Sequence, residues 1–334
     1  MKIFLTGGTG FLGSRLLPAL RETGAEIIGL AVTESDASKL AKGGAAVCRG
    51  DLSQPEVLET AMAGCDVVVH AAALMDVWSH PERFELINVS GTRNVVDAAR
   101  KAAVHRLIYV SAAAVVAGAG DVNGDESLPL QYPAHCAYAA SKSRAESVVL
   151  AANQADFTTL AIRPPMIWGS GDEAALPRFK EMIDRGRFAW INGGQNLYST
   201  CHVDNVAEAV VCAINRGRGG SAYFVTDGAP RSYREIINSQ LVARYGMSGP
   251  DRSMPRWLAH VAAIAVEGMR GFTKADGVPP ITRSLLSMMT YESVVHDQKA
   301  RRELGYVGYT SVQAGLEEIA AAALHTDNPS RPAG

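Results

Sequence analysis

A short apolar run, Ile3–Thr6, leads straight into Gly7-Gly-Thr-Gly-Phe-Leu-Gly13 and then into a helical pattern. This order constrains the fold more than any other feature of the chain. A strand that ends in glycines and opens a helix makes a tight turn. It also allows close backbone approach and aims helix N-terminal amides at an anion. The glycines at 7, 10 and 13 are spaced G-x-x-G-x-x-G, which differs from G-x-G-x-x-G while sharing its physics. Directly after a first strand, the turn reads as a dinucleotide pyrophosphate cradle, with Phe11 and Leu12 carried on it. A plain β-α turn is the alternative.

Through the first half, strand-length apolar runs alternate with helical patterns: Glu26–Val32 with Ser35–Lys42, Ala45–Arg49 with Gln54–Ala63, and Asp66–His70 with Phe84–Ala102. Runs such as Asp66-Val-Val-Val-His70 and Arg106-Leu-Ile-Tyr-Val-Ser111 are apolar on both faces, as strands of a parallel sheet must be. The expected fold is therefore α/β, a Rossmann-type doubly wound parallel sheet. Pro164 and Pro165 break the pattern after Phe157–Arg163. We expect a dinucleotide-binding domain over 1–165 and a smaller, interleaved C-terminal substrate lobe over 166–325. A later strand near 222–225 should return to the sheet, and the Pro- and Asn-containing tail 326–334 should be disordered.

The chain has 334 residues, 47% hydrophobic and 20% charged, which describes an ordinary soluble protein of one large or two joined domains. A net charge of −2 without any Lys/Arg run excludes a nucleic-acid footprint. Five scattered cysteines (Cys48, Cys65, Cys136, Cys201, Cys212) show no metal-ligand or disulfide spacing. They imply reduced thiols, no metal site and a cytoplasmic setting. The N-terminal apolar run is too short for a secretory signal, and no segment reaches the ~18 apolar residues of a membrane span. Leu258–Val266, interrupted by His260, reads as a buried helix before it reads as a membrane-surface one.

Tyr138-Ala-Ala-Ser-Lys142 places a phenol and an ammonium four residues apart in an Ala-rich stretch free of Gly and Pro, hence on one helix face. A cation one turn away stabilises a phenolate and brings a group of pKa ~10 toward working pH. Asp51-Leu52 follows the third strand, where it meets an adenine edge or caps the next helix with Ser53. Ala71-Ala72-Ala73 follow the fourth strand, where small residues let a backbone pass close to a cofactor or merely pack a helix start. At the end of the second strand, Ala31 and Val32 supply neither the acid that reads an NAD ribose nor the Arg that holds an NADP phosphate. Glu34 and Asp36 come later, Lys39 is the first cation, and the absence of Arg leans to NAD. His70, His105 and His202 sit at strand edges, where structural hydrogen bonding is the better reading. Met288, Met289, Phe188, Trp190 and Trp257 read as core before ligand surface.

Together these residues resemble the extended short-chain dehydrogenase/reductase family, the NAD-dependent epimerase/dehydratase superfamily. The matches are Gly7/Gly10/Gly13, His70-Ala71-Ala72, Asn88-Val-Ser-Gly-Thr-Arg-Asn-Val95, Tyr138/Lys142, Arg163-Pro-Pro-Met-Ile-Trp-Gly169 and His202-Val-Asp-Asn205. Asp76-Val-Trp78, Ala145-Glu146 with Val149-Leu-Ala-Ala-Asn153, and Pro255-Arg-Trp-Leu258 bring it closest to the 3β-hydroxysteroid dehydrogenase-like branch. The resemblance implies Tyr138 as general acid/base and Lys142 as the group that binds the nicotinamide ribose and depresses the tyrosine pKa. It implies Pro164–Ile167 against the nicotinamide amide, Asp76, Trp78 and Met166 toward substrate, and a homodimer through 84–102 and 138–153. The implied activity is hydride transfer between NAD or NADP and a bulky hydrophobic secondary alcohol or ketone, steroid-like or a β-hydroxy/keto acid.

One departure stands out. The family's strand-five hydroxyl, three residues before a Val, falls on Ala112, and Ser111 is one residue early. Either the strand end bends so that Ser111 serves, or the site lacks that hydroxyl. A nucleotide-sugar epimerase or dehydratase is the alternative on this scaffold. Against it, Ala113-Ala114 replace an Asp-Glu pair, and Ser199-Thr-Cys201 replace a diphosphate-binding Arg. A weakly catalytic NAD(P)-binding sensor or assembly protein is supported by Ala112 alone.

Overall fold

The computed structural model describes residues 1–75, 79–118, 120–270, 286 and 289–327, without the side chains of 267–270 and 325–327. The first half alternates as expected. In chain order come β1 (Lys2–Thr6), α1 (Gly13–Glu22), β2 (Glu26–Ala31), α2 (Glu34–Lys42), β3 (Ala46–Arg49), α3 (Pro55–Met62) and β4 (Val67–His70). Then follow α4 (Pro81–Phe84), a π-helical turn over Glu85–Ser90, α5 (Gly91–Lys101) and β5 (Arg106–Val110). The single helix expected over Phe84–Ala102 is thus interrupted by a widened turn. After β6 (Val122–Gly124) come α6 (Ala137–Ala151), which carries Tyr138 and Lys142, and β7 (Thr158–Arg163).

The less regular half contains β8 (Met166–Trp168), α7 (Ala175–Asp184), β9 (Trp190–Ile191), β10 (Leu197–Tyr198), β11 (Thr200–His202), α8 (Val203–Arg216) and β12 (Ala222–Phe224). It continues through β13 (Arg231–Ser232), α9 (Tyr233–Tyr245), β14 (Ser253–Met254), α10 (Arg256–Arg270), β15 (Ser293–Val295), α11 (Gln298–Leu304) and α12 (Val312–Asp327). Residues 328–334, most of the tail expected to be disordered, lie outside the described residues.

Seven strands form one sheet in the order β12-β7-β5-β4-β1-β2-β3, and every pairing in it is parallel. β12 joins it beside β7, with Ala222 opposite Ala161. Strand order reverses between β1 and β4, so their carboxyl ends flank the crevice where such sheets take ligands. Both sheet faces are covered. Ile3, Leu5, Val69, Ile108 and Ile162 pack toward α1 and α8. Phe4, Val68, Leu107, Tyr109 and Ala161 pack toward α5 and α6. A separate apolar cluster, including Leu176, Phe188, Trp190, Tyr233, Ile237 and Leu241, forms the core of the second lobe.

α10 does not follow its expected burial. Among its described side chains only Ala259 and Ala263 are buried, whereas Trp257, Leu258, Val261 and Ile264 are 68%, 40%, 56% and 58% exposed. The helix docks through a stripe of small residues, so its large side chains are left on the outer face. Among the described residues no helix is long and apolar enough to cross a membrane, and none of the five cysteines is in a disulfide.

Candidate active site

The glycines of the first turn do different work. Gly7 has φ +72°, and a Cβ there would lie 2.6 Å from the Ala72 amide nitrogen. A Cβ on Gly13 would lie 2.0 Å from the Gly7 carbonyl oxygen and 2.5 Å from the Gly8 carbonyl carbon. At Gly10 the nearest atom is 3.7 Å away, an ordinary contact. Packing therefore requires glycine at 7 and 13, while at 10 the protein itself leaves room. The first turn of α1 has no side-chain cap and no acidic residue. The Ser14 and Arg15 amides already donate to the Gly10 and Leu12 carbonyls, so the glycine turn offers an anion the positive end of the α1 dipole. This cradle suits a dinucleotide pyrophosphate.

At the outer end of the crevice, Asp36 forms a capping box with Thr33 at the start of α2 and accepts a 2.7 Å hydrogen bond from Thr9 Oγ1 of the glycine turn. These bonds hold its carboxyl below the usual range. Arg49 lies opposite Ala31 in the sheet register, and its guanidinium is paired with Glu34 at 2.5 Å. Asp51 receives the Ser53 amide at 2.7 Å, closing a local turn, while the cap position of α3 belongs to Gln54. The Leu52 carbonyl accepts from Asn94 Nδ2, which ties this edge to α5.

Beside the switch point, a hydrogen-bond chain joins β1, β4 and α5. The Ala72 amide donates to Thr6 Oγ1 (3.1 Å), and Thr6 Oγ1 lies 2.7 Å from His70 Nδ1. His70 Nε2 lies 2.9 Å from Thr92 Oγ1, which itself donates to the Asn88 carbonyl. The directions agree only if Thr6 donates to Nδ1 and the imidazole carries its proton on Nε2. Burial, reinforced by Lys142, pushes His70 down to about 3, so it is a neutral structural histidine. The π-helical turn places Asn88 inward. Its amide holds the Leu74 backbone at both ends and donates to Ser141 Oγ (3.0 Å). The loop after β4, containing Ala71, Ala72 and Ala73, is thereby fixed to α6. Motif matching included Asn88 without assigning it this task.

Tyr138 and Lys142 share the inner face of α6 and are 8% and 2% exposed. Lys142 Nζ donates to the Val110 carbonyl at 2.7 Å and stands 4.2 Å over the Tyr109 ring. Burial lowers it to about 7, against an opposing pull from Glu146. The Tyr138 hydroxyl contacts Met75 Sδ at 3.8 Å, and Phe84, Ala112, Cys136 and Ala139 pack around the ring. Burial pushes this phenol well above its ordinary value. The depressed tyrosine pKa expected from the resemblance is therefore absent here. The ammonium is directed at a carbonyl and a ring, and the phenol lies in apolar surroundings.

Ser111 does not turn toward Tyr138. Its hydroxyl donates to Glu146 at 2.5 Å, two helical turns further along α6, because Ser111 shares the face of β5 with Tyr109. Ala112 is the strand-end residue that packs beside Tyr138, so a methyl stands where the family pattern has a hydroxyl. Glu146 also receives Arg163 Nε at 3.0 and 3.1 Å. This buried group of three was not visible as a unit in the sequence.

Met166 and Ile167 lie on β8, paired with Thr200 and Cys201 of β11. Met166 packs on the second-lobe core, and the Pro164 carbonyl accepts from the Ala113 amide. Asp76, Trp78 and Met288 fall outside the described residues. Phe188 and Trp190 are core, as expected, whereas Trp257 is not. His202 is buried behind the crevice near Asp204 and Glu318. Arg15 pairs with both carboxylates, one cation against two anions, and burial disfavours a charged His202.

A model of the 3-beta hydroxysteroid dehydrogenase/isomerase family matches residues 4–256. The 4-hydroxy-2-methyl-3-oxo-4-farnesyl-3,4-dihydroquinoline-1-oxide ketoreductase of Stigmatella aurantiaca is 40% identical over 320 residues, 96% of each chain. The 2-alkyl-3-oxoalkanoate reductase of Stenotrophomonas maltophilia is 35% identical over 329 residues, 96% of this chain and 99% of the relative. The fold also matches the solved structure of a double mutant of a dTDP-glucose 4,6-dehydratase from Streptomyces venezuelae with NAD bound. That match has a TM-score of 0.72 and 23% identity, over 98% of both chains.

Proposed function

This chain belongs to the 3-beta hydroxysteroid dehydrogenase/isomerase family, and from that premise we propose that it reduces a bulky hydrophobic 3-oxo compound with NADH, Tyr138 supplying the proton. One observation carries the reading. The Tyr138 phenol lies among Leu74, Met75, Phe84, Ala112 and Ala114, surroundings that suit an apolar ketone. The reductive direction is supported by the protonated, buried phenol, a proton donor throughout the neutral range. It is also supported by the relatives named as ketoreductase and 3-oxoalkanoate reductase.

The nicotinamide cofactor supplies the hydride. Lys142 would bind its ribose, and the turn at Pro164–Ile167 would face its amide. The turn of Gly7, Gly10 and Gly13, at the positive end of α1, would hold its pyrophosphate. NAD is favoured over NADP because Asp36 sets a carboxylate beside the glycine turn and Arg49 is committed to Glu34. NADH is expected to bind at least tenfold more tightly than NADPH in a fluorescence titration; the reverse order would sink this choice. A second copy would pack along α5 and α6, which sedimentation can test.

The test of the whole reading is cofactor oxidation by purified protein against long-chain 3-oxo acids, 3-oxosteroids and nucleotide sugars. Turnover with the sugars and none with the apolar ketones would overturn it. Ala112→Ser is a separate check. A hydroxyl aimed at a developing oxyanion contributes ~10²–10³ in rate when well placed. Ala112→Ser is expected to raise kcat about tenfold, since one substitution does not reproduce ideal placement. A fall in kcat would show that the apolar wall is itself needed by the substrate.

A further inference from the structure

We propose that Glu146 is a positioning residue for Lys142: one helical turn away and fixed by Arg163 and Ser111, its carboxylate keeps the buried ammonium charged. The proposal rests on the reading of Lys142 as a cofactor-binding group. Glu146 is one helical turn beyond Lys142 on the inner face of α6 and is fully buried. A buried carboxylate persists only with partners. Glu146 accepts four hydrogen bonds, from Arg163 Nε at 3.0 and 3.1 Å, from Arg163 Nη2 at 2.5 Å and from Ser111 Oγ at 2.5 Å. It cannot swing toward solvent, and its charge is presented to Lys142 in a fixed place.

The other groups facing Lys142 do not supply that countercharge. From β5 come the Tyr109 ring and the Val110 carbonyl. From β4 comes His70, neutral and itself disfavoured by the ammonium. On α6 Tyr138 is a protonated phenol. Arg163 of β7 is a second buried cation, and its Nη1 has no hydrogen-bond partner. Without Glu146, two buried positive charges would face a low-dielectric interior with no anion between them. Burial already weakens the hold of Lys142 on its proton, and Glu146 acts in the opposite direction. Ser111 then has a clear task. Its hydroxyl orients the carboxylate, so the strand-five serine acts through Glu146 and Lys142 rather than on substrate.

The sign is fixed by the charge. Removing the anion lowers the Lys142 pKa, so activity and cofactor affinity are lost at lower pH on the alkaline side. In Glu146→Gln, the alkaline limb of kcat/KM is expected to move down by about one pH unit or more, a tenfold loss at a pH the parent tolerates. NADH affinity, titrated against pH, should move with it. Glu146→Gln strands Arg163 and can fail to fold, so Glu146→Gln/Arg163→Met carries the same test without the stranded guanidinium. Ser111→Ala should give a smaller shift of the same sign. Lys142→Met separates the two levels of the argument. If it leaves the limb in place, the assignment of Lys142 fails and the proposal with it. If it abolishes the limb while Glu146→Gln and the double variant leave the parental limb unmoved, the proposal alone is overturned.

Discussion

Tyr138→Phe is expected to lower kcat by about 10³-fold or more while leaving NADH affinity and melting temperature nearly unchanged. A positioned general acid contributes ~10²–10⁴, and the upper half of that range applies here for a structural reason. Where the family pattern places a second hydroxyl, this chain has Ala112, and the nearby Ser111 is bound to Glu146. No side-chain hydroxyl among the described neighbours of the phenol ring stands ready to take over proton delivery. The fold should not notice the change, because among the described residues the phenolic oxygen makes just one polar approach, 3.8 Å to Met75 Sδ. The ring itself stays packed against Phe84. Single-turnover hydride transfer checks the prediction directly, and a Phe variant at the parental rate would remove Tyr138 from the reaction.

The same residues show how far a sequence can be read. The parallel sheet was legible because strands buried on both faces must be apolar throughout, as Val67-Val-Val and Leu107-Ile-Tyr are. Gly7 and Gly13 were legible because only glycine satisfies the approaches they make to Ala72 and to the Gly7 carbonyl. The missing hydroxyl at Ala112 could be read by setting the strand-five motif of the resembling family on Val110–Val115. The destination of Ser111 could not. It depends on Glu146, 35 residues away, and on Arg163, 17 beyond that, and no local rule pairs them. The environment of Tyr138 was misjudged for a related reason. Helical spacing guarantees that Lys142 shares its face, but the ammonium's direction is decided by the Val110 carbonyl and the Tyr109 ring. α10 failed because its composition announces burial while its docking stripe, Ala259 and Ala263, is too narrow to cover the rest. The widened turn at Glu85–Ser90 leaves no mark in a helical pattern.

Gly13→Ala and Gly10→Ala should separate what the turn does for the fold from what it does for the cofactor. A methyl at 13 would begin 2.0 Å from the Gly7 oxygen and 2.6 Å from the Gly8 Cα. Both are backbone atoms of the turn that ends β1, so neither can step aside as a flexible side chain would. Alanine gains ~1 kcal/mol over glycine inside a helix, but overpacking of this severity costs ~3 kcal/mol or more. We therefore expect Gly13→Ala to be destabilised by about 2 kcal/mol or more in denaturant unfolding and to lose cofactor binding together with its fold. Gly10 is exposed, and a methyl there meets nothing closer than 3.7 Å. Its stability should stay within ~0.5 kcal/mol of the parent. Any loss of NADH affinity in Gly10→Ala then comes from the methyl entering the space of the pyrophosphate, and a drop of about tenfold or more is expected. If Gly10→Ala binds NADH as the parent does, the pyrophosphate does not pass over this turn. If Gly13→Ala melts with the parent, the close packing of α1 on the end of β1 is not what holds the turn in place.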